Sequence, residues 1–143
     1  MPALPWPPGP SSTEIGFQTL LVRTDFSRPQ QWDTLLRALH TPSEEGFVAG
    51  FATIDDPQWR DATLEQLTAD APERALIIVA DAVTLSSPEL AALVIHLAGG
   101  SAQQLRVTPA GMWAVENNLF CSNRDWSDFT FAADADGIYR GPT

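Results

Sequence analysis

The sequence predicts one α/β domain, a mixed sheet made of a βαβαβ half plus a C-terminal hairpin and covered by helices. Three observations predict it. Apolar runs at residues 19–24, 47–54 and 75–80 alternate with helix-patterned segments, the order that builds a sheet flanked by helices. A Gly99-Gly100 pair then separates two further strand-like stretches. Finally, 143 residues with 44% hydrophobic content supply a single core without metal or disulfide staples.

Residues 1–16 read as a proline-rich arm, and residues 17–143 as the domain. Five of the first ten residues are proline, which favours polyproline or irregular backbone, and Trp6 is the arm's one aromatic ring. Residues 19–24 (TLLVRT) form a first strand ending at Asp25. Ser27 is placed to cap a helix whose first turn holds Pro29. Trp32, Leu35, Leu36 and Leu39 follow at i, i+3, i+4 and i+7, one apolar stripe, before Thr41-Pro42 stops the helix. Residues 47–54 (FVAGFATI) read as a second strand, closed by Asp55-Asp56-Pro57. Thr63 and Gln66 have capping-box spacing ahead of a short helix carrying Leu64 and Leu67. After Pro72, residues 75–80 (ALIIVA) are apolar on both faces, as a central parallel strand is.

Residues 88–98 fit two patterns. Leu90, Leu93, Val94 and Leu97 have helical spacing, while Leu93, Ile95 and Leu97 would share one face of a strand. We favour the strand, turned by Gly99-Gly100 into residues 104–108. Thr108-Pro109 then opens a helix with Met112, Val115 and Leu119 on one side. Asp125 caps a last short helix with Trp126 and Phe129, and Asp136-Gly137 turns into Ile138-Tyr139.

Six stretches resemble a small domain of unknown function common in high-GC bacteria. They are LLVRTDFS (20–27), SEEGF (43–47), DDPQW (55–59), RVTP (106–109), VENNL (115–119) and DADGIYRG (134–141). The polar residues of VENNL and of the D-x-DG-x-x-RG piece are the most specific, since helix and turn needs alone do not place them. The resemblance implies no activity and no site residues, and it leaves the arm with Trp6 outside.

Charge narrows the partners. Eighteen acidic residues against eight basic ones give a net charge of −10, a field that repels nucleic acid and anionic membrane surfaces and favours a basic protein partner or a cation. All the basic residues are arginine, so mechanisms needing a phosphate-binding or Schiff-base lysine are excluded. Cys121 stands alone and only His40 and His96 accompany it, too few for a Cys/His zinc site; Cys121 reads as a small buried residue rather than a nucleophile. Ser11-Ser12 and Ser86-Ser87 lack a G-x-S-x-G context. The first residues have neither the basic start nor the apolar core of a secretory signal, and no apolar run is long enough to span a bilayer, so we expect a cytoplasmic protein.

The sharpest constellation is positional. Asp25, Asp55 with Asp56, and Asp81 each follow the carboxyl end of a predicted strand, the edge where open α/β sheets bind ligands. As a site, Asp25, Asp56 and Asp81 would serve as catalytic carboxylates or Mg²⁺ ligands, with Glu116 a further catalytic candidate. As caps, each carboxylate would instead turn back onto the N–H groups of its own following segment, which is the commoner role. Asn117 and Asn118 sit with Glu116 inside a predicted helix, where asparagine wants an explanation; an inner scaffold near Arg106 or Arg124 outweighs ligand contact. Trp59, beside Asp55 and Asp56, reads as a partner-binding ring or equally as core cover. His96 reads as a surface or satisfied core residue, and residues 134–137 as a turn rather than a calcium loop.

Two functions fit. The first is a non-catalytic, acidic, partner-binding accessory or immunity-like domain with no cofactor. Its binding candidates are Trp59, Asp55, Asp56, Arg106, Asn117 and Asn118. The alternative is a small enzyme or small-ligand-binding domain using the strand-end aspartates, with or without Mg²⁺.

Overall fold

A computed structural model describes residues 3–6, 19–120 and 124–142. The reading of Cys121 lies outside these residues. Six strands form one mixed sheet in the order β2-β1-β3-β4-β5-β6. They are β1 (Thr19–Arg23), β2 (Ala52–Ile54), β3 (Leu76–Ala80), β4 (Ala92–Ala98), β5 (Ser101–Val107) and β6 (Ile138–Tyr139). The helices are α1 (Pro29–His40), α2 (Leu64–Thr68), α3 (Ala82–Ser86), α4 (Pro109–Phe120) and α5 (Trp126–Ala132), with a 3-10 turn at Pro57–Trp59. β1 runs parallel to β2 and β3, and β5 to β6, while β4 is antiparallel to both of its neighbours. The expected α/β domain with its βαβαβ half and hairpin is therefore present.

Several elements differ in detail, each for a local reason. The N-cap of α1 is Arg28, not Ser27, because Asp25 Oδ1 accepts both the N–H (3.1 Å) and the Oγ–H (2.8 Å) of Ser27. β2 is three residues rather than the eight from 47 to 54, because the preceding backbone is engaged elsewhere: Gly50 N–H donates to Glu116 Oε1 at 2.8 Å. Phe47 leaves the sheet and stacks on Trp113 at 4.9 Å. The helix α3 was not expected; Asp81 begins it by accepting from Thr84 N–H. Thr63 and Gln66 form the predicted capping box of α2. Leu90 has φ +54°, which a helix cannot accommodate, so the helical reading of residues 88–98 fails there. Gly99 (φ +60°) and Gly100 (φ +78°) make the tight turn, and β5 begins at Ser101, three residues earlier than read.

Alternation along the strands divides the core into two layers. On the first face, Leu21, Ile78, Ala92 and Val94 pack against Trp32, Leu35 and Leu39 of α1, Leu85 of α3, Met112 and Val115 of α4, and Trp126 and Phe129 of α5. Leu36 is half-buried at the edge of that layer. On the second face, Leu20, Val22, Ile77, Val79 and Ile95 meet Trp59, Leu67 and, from the arm, Leu4, with Trp6 packed alongside. Among the described residues no helix is long and apolar enough to cross a membrane.

Candidate functional site

The parallel strands bring five carboxyl ends to one edge of the sheet, together with the start of the antiparallel β4. Asp55 and Asp56, Asp25 and Asp81 follow three adjacent strands there, as the sequence suggested. Their side chains do not converge. Asp25 Oδ1 is taken by Ser27, and its Oδ2 is buried without a partner. Asp56 accepts from Gln58 N–H (3.0 Å) and Gln58 Nε2 (2.9 Å), capping the 3-10 turn. Asp55 accepts from the Arg23 guanidinium at 3.2 Å, and the same guanidinium lies over the rings of Phe26 (4.5 Å) and Trp32 (5.2 Å). Each of these carboxylates has a local task. Among the described residues no three His, Cys, Asp or Glu side chains gather as a metal-ligand group, so Asp25, Asp56 and Asp81 do not share one.

Asp81 and Arg106 do meet. Arg106 donates two parallel hydrogen bonds to the Asp81 carboxylate, at 2.9 and 2.7 Å, and a third to Thr84 Oγ1 at 3.1 Å. The fork geometry suits a planar guanidinium on a carboxylate. Burial pushes the Asp81 carboxyl up, but hydrogen bonds from Arg106 and Thr84 and the arginine's charge outweigh it and hold the group below its ordinary range. The pair ties β5 to the start of α3.

Glu116, Asn117 and Asn118 serve the scaffold. Glu116 accepts from Gly50 N–H and from Asn117 Nδ2 (3.1 Å), and Asn117 Nδ2 also donates to the Val48 carbonyl (3.0 Å). Together they clamp residues 48–50 onto α4, a different neighbour from the Arg106 or Arg124 expected. Burial raises the Glu116 carboxyl above its usual range, only partly offset by those two donors. Asn118 donates to the Ala114 carbonyl within its own helix. Trp59 is 1% exposed, so it cannot present a partner-binding ring: the 3-10 turn rolls it onto the second face of the sheet. His96 stacks on Trp126 at 5.3 Å; burial lowers its pKa, and its Nδ1 has no hydrogen-bond partner.

A cluster that sequence reasoning missed lies at the far end of the same edge. Arg140 donates to Glu89 (2.7 and 2.8 Å), Asp134 (2.7 Å) and Asp136 (2.6 Å). These hydrogen bonds raise the arginine's pKa and lower those of Glu89 and Asp136. Three carboxylates on one guanidinium leave a local charge of −2. The signal was present in D-x-DG-x-x-RG, whose spacing sets Asp136 and Arg140 four residues apart. The last glycine of that motif, Gly141, has φ +108° and would set a Cβ 3.4 Å from Ala110 O, while a Cβ on Gly111 of α4 would lie 2.8 Å from Gly141 N, so α4 and the C-terminal segment touch backbone to backbone.

Glu89 and Arg140 form the polar wall of an open groove of about 770 Å³. Its other walls are the C-terminal end of α1 and the loop after it (Ala38, Thr41, Pro42, Ser43), Leu90, and the start of α4 (Thr108, Pro109, Ala110). Thr108 is almost wholly buried and its Oγ1 has no partner.

A family model described as a domain of unknown function (DUF6924) matches residues 18–142, nearly the whole chain, and the chain belongs to that family. No curated protein matches, and no solved structure matches.

Proposed function

We propose that this member of the DUF6924 family is a non-catalytic binding domain that docks a basic protein partner at the groove beside Arg140. The observation that carries the reading is the unequal cluster that reaches the groove through Glu89 and Arg140, where Glu89, Asp134 and Asp136 surround a single arginine. A second cation presented by a partner would complete that charge, while Leu90, Pro42, Pro109 and Ala110 offer it apolar surface. The chain's net charge of −10 steers a basic surface toward the protein at long range. Of the carboxylates best placed for chemistry, Asp56 is engaged by Gln58, Asp81 by Thr84 and Arg106, and Asp25 through Oδ1 by Ser27, which favours binding over catalysis.

Ala38 lines the groove and is half-buried, so Ala38→Arg fills it with like charge for a basic partner, and Ala38→Gln fills it without charge. Capture from native lysate should recover a basic protein at low salt and lose it as salt rises. Ala38→Arg should abolish capture and Ala38→Gln should weaken it less. Equal recovery by all three proteins, or recovery indifferent to salt, would overturn the assignment.

A further inference from the structure

We propose that the second face of the sheet is a docking site for a proline-flanked apolar peptide, and that the arm occupies it in cis through Leu4 and Trp6. The face and its occupant differ in origin. The face belongs to the matched family domain, residues 18–142, whereas residues 3–6 lie outside it. Leu4 is nevertheless 3% exposed, set among Val22, Trp59, Ile77 and Ile95 like any core leucine.

The way the segment is held explains why it should be exchangeable. Pro2, Pro5, Pro7 and Pro8 flank Leu4 and Trp6, and proline has no N–H to give to a strand ladder. Among the described residues the six-strand sheet does not include the segment, and its backbone hydrogen bond from Trp6 N–H to the Leu4 carbonyl at 2.8 Å is internal. Attachment therefore rests on side chains entering apolar pockets, as in the recognition of polyproline segments by aromatic-walled grooves. Proline stiffening lowers the entropy lost on docking, so a short segment suffices. The fit is also incomplete, because Trp6 Nε1–H is buried with no acceptor. An unmet indole donor weakens the complex and leaves room for a better occupant, one that offers an acceptor there or no donor at all. The twelve residues from 7 to 18 tether the arm, which gives it a high effective concentration against any competing peptide.

The test uses full-length protein and a fluorescein-labelled peptide of residues 1–10, read by fluorescence anisotropy. In the intact chain the tethered arm should compete with the peptide and leave it weakly but measurably bound. Leu4→Asp should release the arm and tighten peptide binding at least tenfold, and Leu4→Ala should do so to a smaller extent. A peptide carrying Leu4→Asp should not bind. Trp6→Phe in the chain removes the unmet donor, strengthens the arm's own docking and should reduce peptide binding below that of the unmodified chain. The proposal is overturned if both Leu4 variants keep their circular-dichroism spectra yet bind the peptide no better. It is equally overturned if both lose cooperative unfolding, since the segment would then be integral core rather than an occupant.

Discussion

The two faces of the sheet are built from the same strands and covered in different ways. The first face is closed by residues from α1, α3, α4 and α5, elements held to it by long apolar stripes and by clamps such as Glu116 to Gly50. The second is closed by a 3-10 turn, the five-residue α2 and a piece of arm. Leu21 and Val22 are neighbours in sequence and equally buried, yet one lies under a twelve-residue helix and the other beneath short, separately anchored pieces. The difference teaches that burial does not measure permanence. A side chain under a helix leaves the core only when the domain unfolds, whereas one under a detachable strap is exposed whenever the strap lifts.

The largest effect should separate the faces directly. Leu35→Ala, on the buried stripe of α1, should cost about 2–5 kcal/mol in a urea titration. Leu4→Ala removes as much side chain from a site just as dry. It should cost less than ~2 kcal/mol, because its loss cannot exceed the free energy of docking the strap. Equal costs would erase the contrast between the faces.

An intermediate effect belongs to the carboxyl edge. Arg106→Ala leaves Asp81 with only Thr84, and should cost roughly 1–2 kcal/mol, less than a fully buried pair since both side chains are about a quarter exposed. Arg106→Lys should recover only part, because an ammonium cannot make the two-pronged contact. The sign with pH follows from the depressed Asp81 carboxyl. Its stabilisation is present above the ordinary carboxylate range and is lost as pH falls through the lowered pKa, so the Arg106→Ala penalty should shrink in acid. A penalty constant with pH would mean the pair contributes packing and not charge.

The smallest effect has the opposite sign. Glu116 is buried with its pKa raised, so its contribution is full at low pH and is lost as pH rises through that pKa. Glu116→Gln keeps an acceptor for Gly50 N–H without a charge to bury. It should melt roughly a few degrees higher at neutral pH and converge with the unmodified chain in acid. A lower melting temperature at every pH would show that the clamp needs the ionised form.

Much of this was legible in the sequence where periodicity ruled. The stripe from Trp32 to Leu39, the doubly apolar run ending at Ala80, the capping box at Thr63 and the glycine turn at 99–100 are local signals with local outcomes. β2 was read too long because Phe47, Val48 and Phe51 look like strand residues. The backbone of Phe47 pairs instead with Ser43, and that of Val48 and Gly50 belongs to a clamp whose other half, Glu116, lies 66 positions from Gly50. α3 was missed because five residues carry no period. The strand-end aspartates were located on the right edge, and Asp25 and Asp56 turn onto Ser27 and Gln58 two positions on. The roles of Asp81 and Asp55, however, depend on distant arginines, Arg106 at 25 positions and Arg23 at 32, as that of Glu89 depends on Arg140 at 51. Trp59 was ambiguous for a similar reason, since only the turn begun by Asp56 and Pro57 decides which way its ring faces.

The lengths of the outermost strands carry one more consequence. The sheet ends in β2 at one side and β6 at the other, three and two residues long, while the longer strands are all interior. On the β2 side an edge of three residues exposes few free N–H and C=O groups to template another chain. On the other side β6 covers only Arg106 and Val107, so residues 101–105 of β5 pair with β4 alone among the described residues and keep an open outer edge. Pro57, shortly after β2, has no N–H with which to extend one of those edges. At high concentration, then, any edge-to-edge pairing should begin along residues 101–105 of β5 rather than at β2.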